Sequence, residues 1–297
     1  MKLAKATDAF LEELQRRNRS DLTIANYRSL FRSWIDFGRR RRLTNLADYD
    51  AIILREFYDS WNVQPSTAKT RLKMLRTFYA FAVDMDWIEN SPMSKLALPK
   101  VDQIPTLPLS RDEFQTLAIA SERKPGEYAL ILLMRYSGLS IGDAVGCRID
   151  ALNGEHLTLH RSKTGELVMV PLPALVMNAL RTIKGGFGTK HFFWSGTTKP
   201  VSAAKRWRRR LQHIGRSAGL PDFRPHQLRD TFAVELLLSG VAMQEVSSLL
   251  GHHSILTTER YYAPWNTARR NRLARIVKEV NDSDPTLRLL TKRSRKK

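Results

Sequence analysis

Two stretches near the C-terminus gather the residue types needed to handle a phosphate. One is His226-Gln227-Leu228-Arg229, and the other runs from Gly251-His252-His253 through Thr257-Thr258-Glu259-Arg260-Tyr261-Tyr262 to Pro264. Arginine can hold two phosphate oxygens with its planar fork, and histidine can donate a hydrogen bond or shuttle a proton. A phenol can attack phosphorus once its proton is removed and cations hold the developing charge. The product, a phosphotyrosyl ester, conserves the energy of the original phosphodiester, so resealing requires no ATP. His226 and Arg229 are three apart, which on a helix puts them on one face. Near a helix N-terminus that face already favours an anion. Tyr261 and Tyr262 are adjacent, so helical side chains there diverge by about 100° and only one can face a site while the other packs. Singly, each residue has a plainer reading: His226 as a cap, Arg229 paired with Asp230 or Glu235, His252 in a surface loop, the tyrosines in packing. Together they point to covalent chemistry on a nucleic-acid backbone.

Composition supplies the same partner independently. The chain carries 49 Lys and Arg against 29 Asp and Glu, a net charge of +20 in 297 residues. A surplus of that size implies attraction to a polyanion, with salt-dependent affinity. The length allows about two domains, each with its own core. The single cysteine, Cys147, excludes an intrachain disulfide and a thiolate-rich zinc site. A reducing cytoplasm fits that usage. The N-terminus lacks the apolar core of a signal peptide, and no run approaches the ~20 apolar residues of a membrane span.

The elements that must position these residues fall on either side of a proline-rich segment. Pro92, Pro99, Pro105 and Pro108 predict an extended linker over 92–108 between a helical domain at 1–91 and a second domain at 109–282, with a basic tail at 283–297. In the first domain Tyr27, Leu30, Phe31 and Trp34 have helical spacing behind the caps Ser20 and Asp21, and Gly38 should end that helix. Helices are also predicted from Tyr49 to Trp61 and from Ser66 to Trp87, the latter with Leu72, Leu75, Tyr79 and Ala82 inward. Lys69, Arg71, Lys73 and Arg76 would then form an exposed face able to grip a DNA backbone. In the second domain Ser110-Arg111-Asp112-Glu113 is a capping box, and a helix follows over Glu127 to Tyr136, stopped by Gly138. Leu157 and Leu159, then Leu167, Met169 and Leu172 after the turn Thr164-Gly165, predict a hairpin with Lys163 at its tip. Helices are expected from Pro173 to Ile183, and from Ala203 to Ala218, where Arg206 and Arg208 are further DNA-contact candidates. Pro225 should open the next helix and Gly240 end it; another runs from Met243 to Leu250 with Gly251 as its stop. Pro264 and Trp265 should break and anchor the chain after the tyrosines.

Taken together, these segments resemble the tyrosine recombinase or integrase family over nearly the whole chain. The matching stretches are His226-Gln227-Leu228-Arg229-Asp230-Thr231-Phe232-Ala233, Leu250-Gly251-His252 and Thr257-Thr258-Glu259-Arg260-Tyr261-Tyr262-Ala263-Pro264-Trp265. The resemblance implies a mainly α fold: a C-shaped clamp with a helical, SAM-like core-binding domain and an α-rich catalytic domain holding a small antiparallel β-sheet. It implies strand cleavage and rejoining through a 3′-phosphotyrosyl intermediate, with neither metal nor nucleotide cofactor. Lys163 in Arg161-Ser162-Lys163-Thr164-Gly165 would protonate the leaving 5′ oxygen, His226 and Arg229 would bind the scissile phosphate, and His252 would support it. The commonest family spacing puts the nucleophile nine positions after the Gly-His histidine, at Tyr261; relatives ending in Tyr-Ala-Pro-Trp put it one later, favouring Tyr262. The implied partner is double-stranded DNA with a specific target site, bound by four protomers on two duplexes, with a monomer or weak oligomer when free. The setting is cytoplasmic.

One position departs from the pattern. The family reads Gly-Leu-Arg with an acid three residues on, and here Gly138-Leu139-Ser140 is followed by Asp143. The acid, a structural support, is kept, and the first of two phosphate-clamping arginines is replaced by Ser140. A neutral hydroxyl cannot replace a bidentate cation, and the loss is worth ~3 kcal/mol or more, on the order of 100-fold or greater in rate. Arg135, Arg148 and Arg161 are the candidates for compensation. Two functions therefore stand side by side, a recombinase with a weakened site and a non-catalytic, site-specific DNA-binding protein. A generic basic nucleic-acid binder explains the charge but leaves the motif order to chance.

Overall fold

The computed structural model describes residues 1–101, 107–184 and 190–286. Pro105 and the basic run from Lys292 to Lys297 lie outside them. The chain divides into two compact units, Met1–Asp102 and Gln103–Lys297.

The first unit is helical: α1 (Leu3–Arg16), α2 (Asp21–Arg41), α3 (Ala51–Asp59) and α4 (Pro65–Asp84). Ser20 caps α2 by accepting from the Thr23 amide, and Asp50 caps α3 from Ile52 and Ile53. Phe10, Phe31, Trp34 and Phe78 meet edge to face in the core, with Trp34 and Phe78 centroids 5.4 Å apart. Leu72, Leu75, Tyr79 and Ala82 of α4 are buried as the spacing predicts. Gly38 does not end α2. The helix continues to Arg41, and Arg42 takes the left-handed capping conformation at φ 61°. Gly38 is instead a point of close approach, where a Cβ would collide with the Tyr49 hydroxyl and the Leu43 carbonyl.

The basic face of α4 is less open than predicted. Lys73 is exposed, but Arg71 lies over the Trp61 ring and Arg76 donates to the Leu96 carbonyl at 2.6 Å. The linker also departs from the extended form: Pro92–Lys95 makes a 3₁₀ turn, and Met93 and Leu96 are buried in the first unit's core. Prolines disfavour helix before them, yet Pro92 fits the first position of a short turn, and two apolar side chains make packing worthwhile.

The second unit opens with α5 (Arg111–Ser121), held by the predicted reciprocal bonds between Ser110 and Glu113. α6 (Pro125–Ser137) follows, buried on nearly all sides and ended by Gly138 at φ 63°. The short α7 (Ile141–Val145) is capped by Ser140. Next come β1 (Leu152–Asn153), which the sequence reading missed, β2 (His156–His160) and β3 (Leu167–Pro171), paired antiparallel in the order β1-β2-β3. The hairpin is where it was expected, but β3 shows the opposite face. Val168 and Val170 are buried, whereas Leu167 and Met169 are exposed. Leu157 pairs with Val170, and a strand shifted by one residue exchanges its faces, so the larger side chains misled the reading.

α8 (Ala174–Ile183) and α9 (Pro200–Ser217) complete the main core, with Trp207 and Leu211 buried and Arg206 and Arg208 exposed. α10 (His226–Leu238), α11 (Met243–Leu250) and α12 (Ile255–Ser283) pack on one another around Val234, Leu237, Val246 and Tyr262. α12 runs unbroken past position 264, contrary to the expected break. Buried Thr258 and Tyr262 fix the turns ahead of the proline against α10 and α11, which offsets the backbone bond it removes. No helix among the described residues is long and apolar enough to cross a membrane.

Candidate active site

Arg229 lies in the first turn of α10 with its side chain buried. Nη1 donates to the Gly138 carbonyl at 2.5 Å, and Nη2 donates to the Leu250 carbonyl at 2.9 Å. Both acceptors stand at helix C-termini, where carbonyls lack intrahelical partners. Arg229 Nη2 also meets His252 Nε2 at 2.8 Å. A guanidinium has only donors, so Nε2 must carry a lone pair, and Nδ1–H then donates to Thr258 Oγ1 at 2.8 Å. Burial, then the charges of Arg229, Arg161, His226 and Lys163, push the His252 pKa down to about 4. His252 is therefore neutral at physiological pH. Gly251, left-handed at φ 63° after α11, turns the chain so that this imidazole points back at α10.

His226, exposed at the start of α10, brings Nε2 to 3.5 Å from Asp230 Oδ1. The same carboxylate oxygen accepts the Tyr262 hydroxyl at 2.9 Å. Tyr262 is only 2% exposed, and burial followed by the Asp230 charge raises its pKa far above that of a free phenol, with Arg229 opposing. Asp230 is itself raised by burial, against the pull of His226, Tyr262 and Arg229. Tyr261 points away and is 49% exposed. The expected division of the pair is thus inverted in one respect: Tyr262 faces the site and packs, and its neighbour is open to solvent. An amphipathic helix buries whichever residue faces α10, and here that residue is also the one beside the arginine.

Lys163 is exposed in the β2–β3 loop. That loop is tied to the site by Thr164 Oγ1, which donates to the Gly251 carbonyl at 3.1 Å.

Ser140 has no capacity left for an anion in this arrangement. Its hydroxyl donates to Asp143 Oδ2 at 2.7 Å and accepts from the Asp143 amide. Asp143 Oδ1 accepts from the Ser162 amide and hydroxyl at 2.9 and 2.6 Å. Burial raises its pKa, but the Ser162 and Ser140 bonds and the Arg161 charge outweigh that and leave it below the ordinary carboxylate value. Of the three arginines considered as substitutes, Arg135 pairs with Glu235 and lies over the Phe114 and Tyr136 rings. Arg148 pairs with Asp150 at the surface. Arg161 alone reaches the site: Nη1 lies 3.4 Å from Asp143 Oδ2, and Nη2 lies 3.1 Å from the Leu249 carbonyl and 3.4 Å from that of Gly138.

His226, Arg229, His252 and Tyr262 thus converge from two helices and a helix stop, with Ser140 and Asp143 beside them, while the hairpin's Lys163 acts on them through its charge, felt at His252. The sequence offered Asp230 only as an ion-pair partner of Arg229, and assigned Thr258 no role. Asp230 directly follows Arg229, so one turn of α10 presents both, but only the packing of α12 reveals that Tyr262 reaches it.

Comparison with known proteins identifies the family. The profile of the phage integrase family matches residues 108–267, and that of the phage integrase N-terminal SAM-like domain matches 7–85. The chain belongs to the phage integrase family, the tyrosine recombinases that break and rejoin DNA strands. It is 27% identical over 275 residues to the tyrosine recombinase XerC of Roseiflexus sp. (strain RS-1), covering 86% of this chain and 87% of that one. It is 26% identical over 278 residues to the tyrosine recombinase XerD of Shewanella oneidensis, covering 86% and 90%. In fold it is similar to a lambda integrase dimer bound to a COC′ core site, with a TM-score of 0.69, 20% identity and coverage of 86% and 96%. It is also similar to the Tn1549 transposon integrase in complex with a circular intermediate DNA, with a TM-score of 0.70, 19% identity and coverage of 92% and 99%.

Proposed function

We propose that this chain carries out site-specific recombination on double-stranded DNA with Tyr262 as nucleophile. The observation that carries the assignment is the junction at α10, where Arg229 contacts His252 while the adjacent Asp230 accepts the Tyr262 hydroxyl. In the reaction Tyr262 Oη forms a bond to the scissile phosphorus, and its proton passes to Asp230, which already accepts it. The bond from phosphorus to the 5′ oxygen breaks, and Lys163 supplies the proton that leaves a free 5′-hydroxyl. Arg229 neutralises the phosphate, and His226 donates a hydrogen bond to one of its oxygens; His252 donates from Nε2 once its proton has moved there from Nδ1, which then accepts from the Thr258 hydroxyl. For that, the Arg229–His252 contact must open, because each group engages the other in this arrangement.

The net charge of +20 and the exposed Arg206 and Arg208 support a duplex partner. Burial lowers the His226 pKa, Asp230 opposes that, and Arg229 and then Arg208 lower it further, which sets α9 close to the site. Lys73 and Lys69 of α4 are backbone-contact candidates, with Arg71 and Arg76 contributing through the part of each guanidinium not held by Trp61 or Leu96. The working assembly is four protomers on two duplexes, in the cytoplasm. Self-assembly is supported by Leu273, Ile276, Val277 and Val280, an exposed apolar stripe at helical spacing on α12. A solved relative is described as a lambda integrase tetramer bound to a Holliday junction.

The second reading, a non-catalytic DNA-binding protein, is favoured by one observation: the Ser140 hydroxyl is consumed by Asp143. The experiment selects a bound duplex from a random library with the wild-type protein and rebuilds it as suicide substrates, the nick moved one nucleotide at a time. A covalent adduct that survives in Tyr261→Phe and vanishes in Tyr262→Phe supports the recombinase. A specific footprint with no adduct at any nick supports the binding protein instead.

A further inference from the structure

We infer that Arg161, at the end of β2, supplies the second phosphate-binding cation, a role that here has moved off the N-terminus of α7. The inference rests on the reading of Arg229 and Tyr262 given above. Arg161 is 3% exposed and sits between the two halves of the site. Its Nη1 shares Asp143 Oδ2 with the Ser140 hydroxyl, and its Nη2 shares the Gly138 carbonyl with Arg229 Nη1. The guanidinium is therefore one oxygen away from the serine on one side and from Arg229, the phosphate arginine proposed above, on the other.

Charge bookkeeping explains why this pair calls for an anion. Two buried guanidinium groups share one carbonyl; among the described residues Asp143 is the only carboxylate in an ion pair with either of them, and Asp230, which acts on Arg229 at longer range, is engaged by Tyr262 and His226. Isolated charges are costly to bury, and like charges side by side more so, unless a counter-charge arrives. Arg161 Nε is buried with no hydrogen-bond partner. Lys163, two residues on, adds a further cation at the mouth of the site. A phosphodiester supplies both the negative charge and the acceptor oxygens that this cluster lacks.

The backbone is shaped to admit the side chain. A Cβ on Gly251 would stand 2.5 Å from Arg161 Cγ, so the bare α-carbon before His252 is what lets the arginine stem pass beneath the α11 stop. Loop placement agrees: the Arg161 amide donates to the Glu166 carbonyl and its carbonyl accepts from Gly165, closing the turn that also presents Lys163. One hairpin then delivers both the phosphate-clamping arginine and the leaving-group acid.

The test uses the suicide substrates selected above, and wild type against Tyr262→Phe first establishes whether the underlying reading holds. On the phosphate substrate Arg161→Gln should form adduct on the order of 100-fold more slowly, the scale of one lost charge-assisted contact in a transition state. On the same duplex with a neutral methylphosphonate at the cleaved position, there is no charge for a second cation to neutralise, and the defect should shrink below about 10-fold. Arg161→Lys, which keeps the charge and loses the fork, should fall between. Ser140→Arg introduced into Arg161→Gln should recover at least about 10-fold. An equal defect on both substrates would assign Arg161 a structural role and overturn the inference, as would wild-type rates in Arg161→Gln. Binding gives an answer even where no adduct forms: the slope of log K against log salt should drop by about 0.9 in Arg161→Gln, one phosphate contact on duplex DNA. An unchanged slope in a variant with wild-type circular dichroism would refute the contact itself.

Discussion

Asp143 is the residue on which the arrangement around Ser140 should depend most heavily, and Asp143→Asn isolates its charge. The amide keeps the size and can still accept from the Ser162 amide, but it cannot neutralise Arg161. Asp143 and Arg161 side chains are 7% and 3% exposed, so water screens little of the loss. Removing one partner of a buried pair costs about 3–5 kcal/mol, chiefly because the other charge stays behind uncompensated. The 3.4 Å separation places this pair at the lower end, while the two bonds from Ser162 and one from Ser140 to the ionised carboxylate push upward. The net expectation is ~3 kcal/mol, a large share of a typical domain's ~5–15 kcal/mol. Urea denaturation at pH 7 reads it directly. Arg161→Met in both backgrounds completes a double-mutant cycle, in which the loss of Asp143 should cost at least about 2 kcal/mol less once the arginine is gone. Because the folded carboxyl titrates below its usual 3.8, its contribution is present above that pH and is lost as pH falls through the lower folded value. A cost under about 1 kcal/mol, or additive single effects, would refute the claim that Asp143 carries the buried arginine.

Other consequences follow from neighbouring residues. Gly251→Ala adds a left-handed non-glycine residue and a Cβ 2.5 Å from Arg161 Cγ and 2.9 Å from Val168 Cγ2, so a destabilisation of about 2–4 kcal/mol is expected in the same urea assay. His252 titrates at about 4 when folded against 6.5 when free, so the unfolded chain binds the extra proton between those values. Its contribution is complete above pH 6.5 and is lost as pH falls toward 4, at up to about 1.4 kcal/mol per pH unit. Unfolding midpoints measured from pH 7.5 to 4.5 should fall less steeply in His252→Asn than in wild type.

How much was legible in the sequence depended on whether a signal was local. Caps and stops were readable because they are set by one or two residues: Ser110 with Glu113, Gly138, Gly251. The face of β3 was not, because Leu167 and Met169 outrank Val168 and Val170 in size and only pairing with β2 settles which set goes inward. Gly38 was misassigned for a related reason, since a glycine at a helix stop and one under a tyrosine look alike until Tyr49 is in place. At the site, spacing identified His226, Arg229, His252 and the tyrosine pair. The couplings between Asp230 and Tyr262, and between Arg161 and Asp143, span 32 and 18 residues and exist only through tertiary packing.

Mapping the residue that holds the DNA tests the assignment of Tyr262 most directly. A trapped adduct on the selected suicide duplex, digested with nuclease and protease and sequenced by tandem mass spectrometry, should carry its nucleotide phosphate on Tyr262 and leave Tyr261 unmodified. A modification on Tyr261, the exposed neighbour, would contradict the assignment. So would the absence of any phosphotyrosyl peptide from a duplex that the protein footprints specifically.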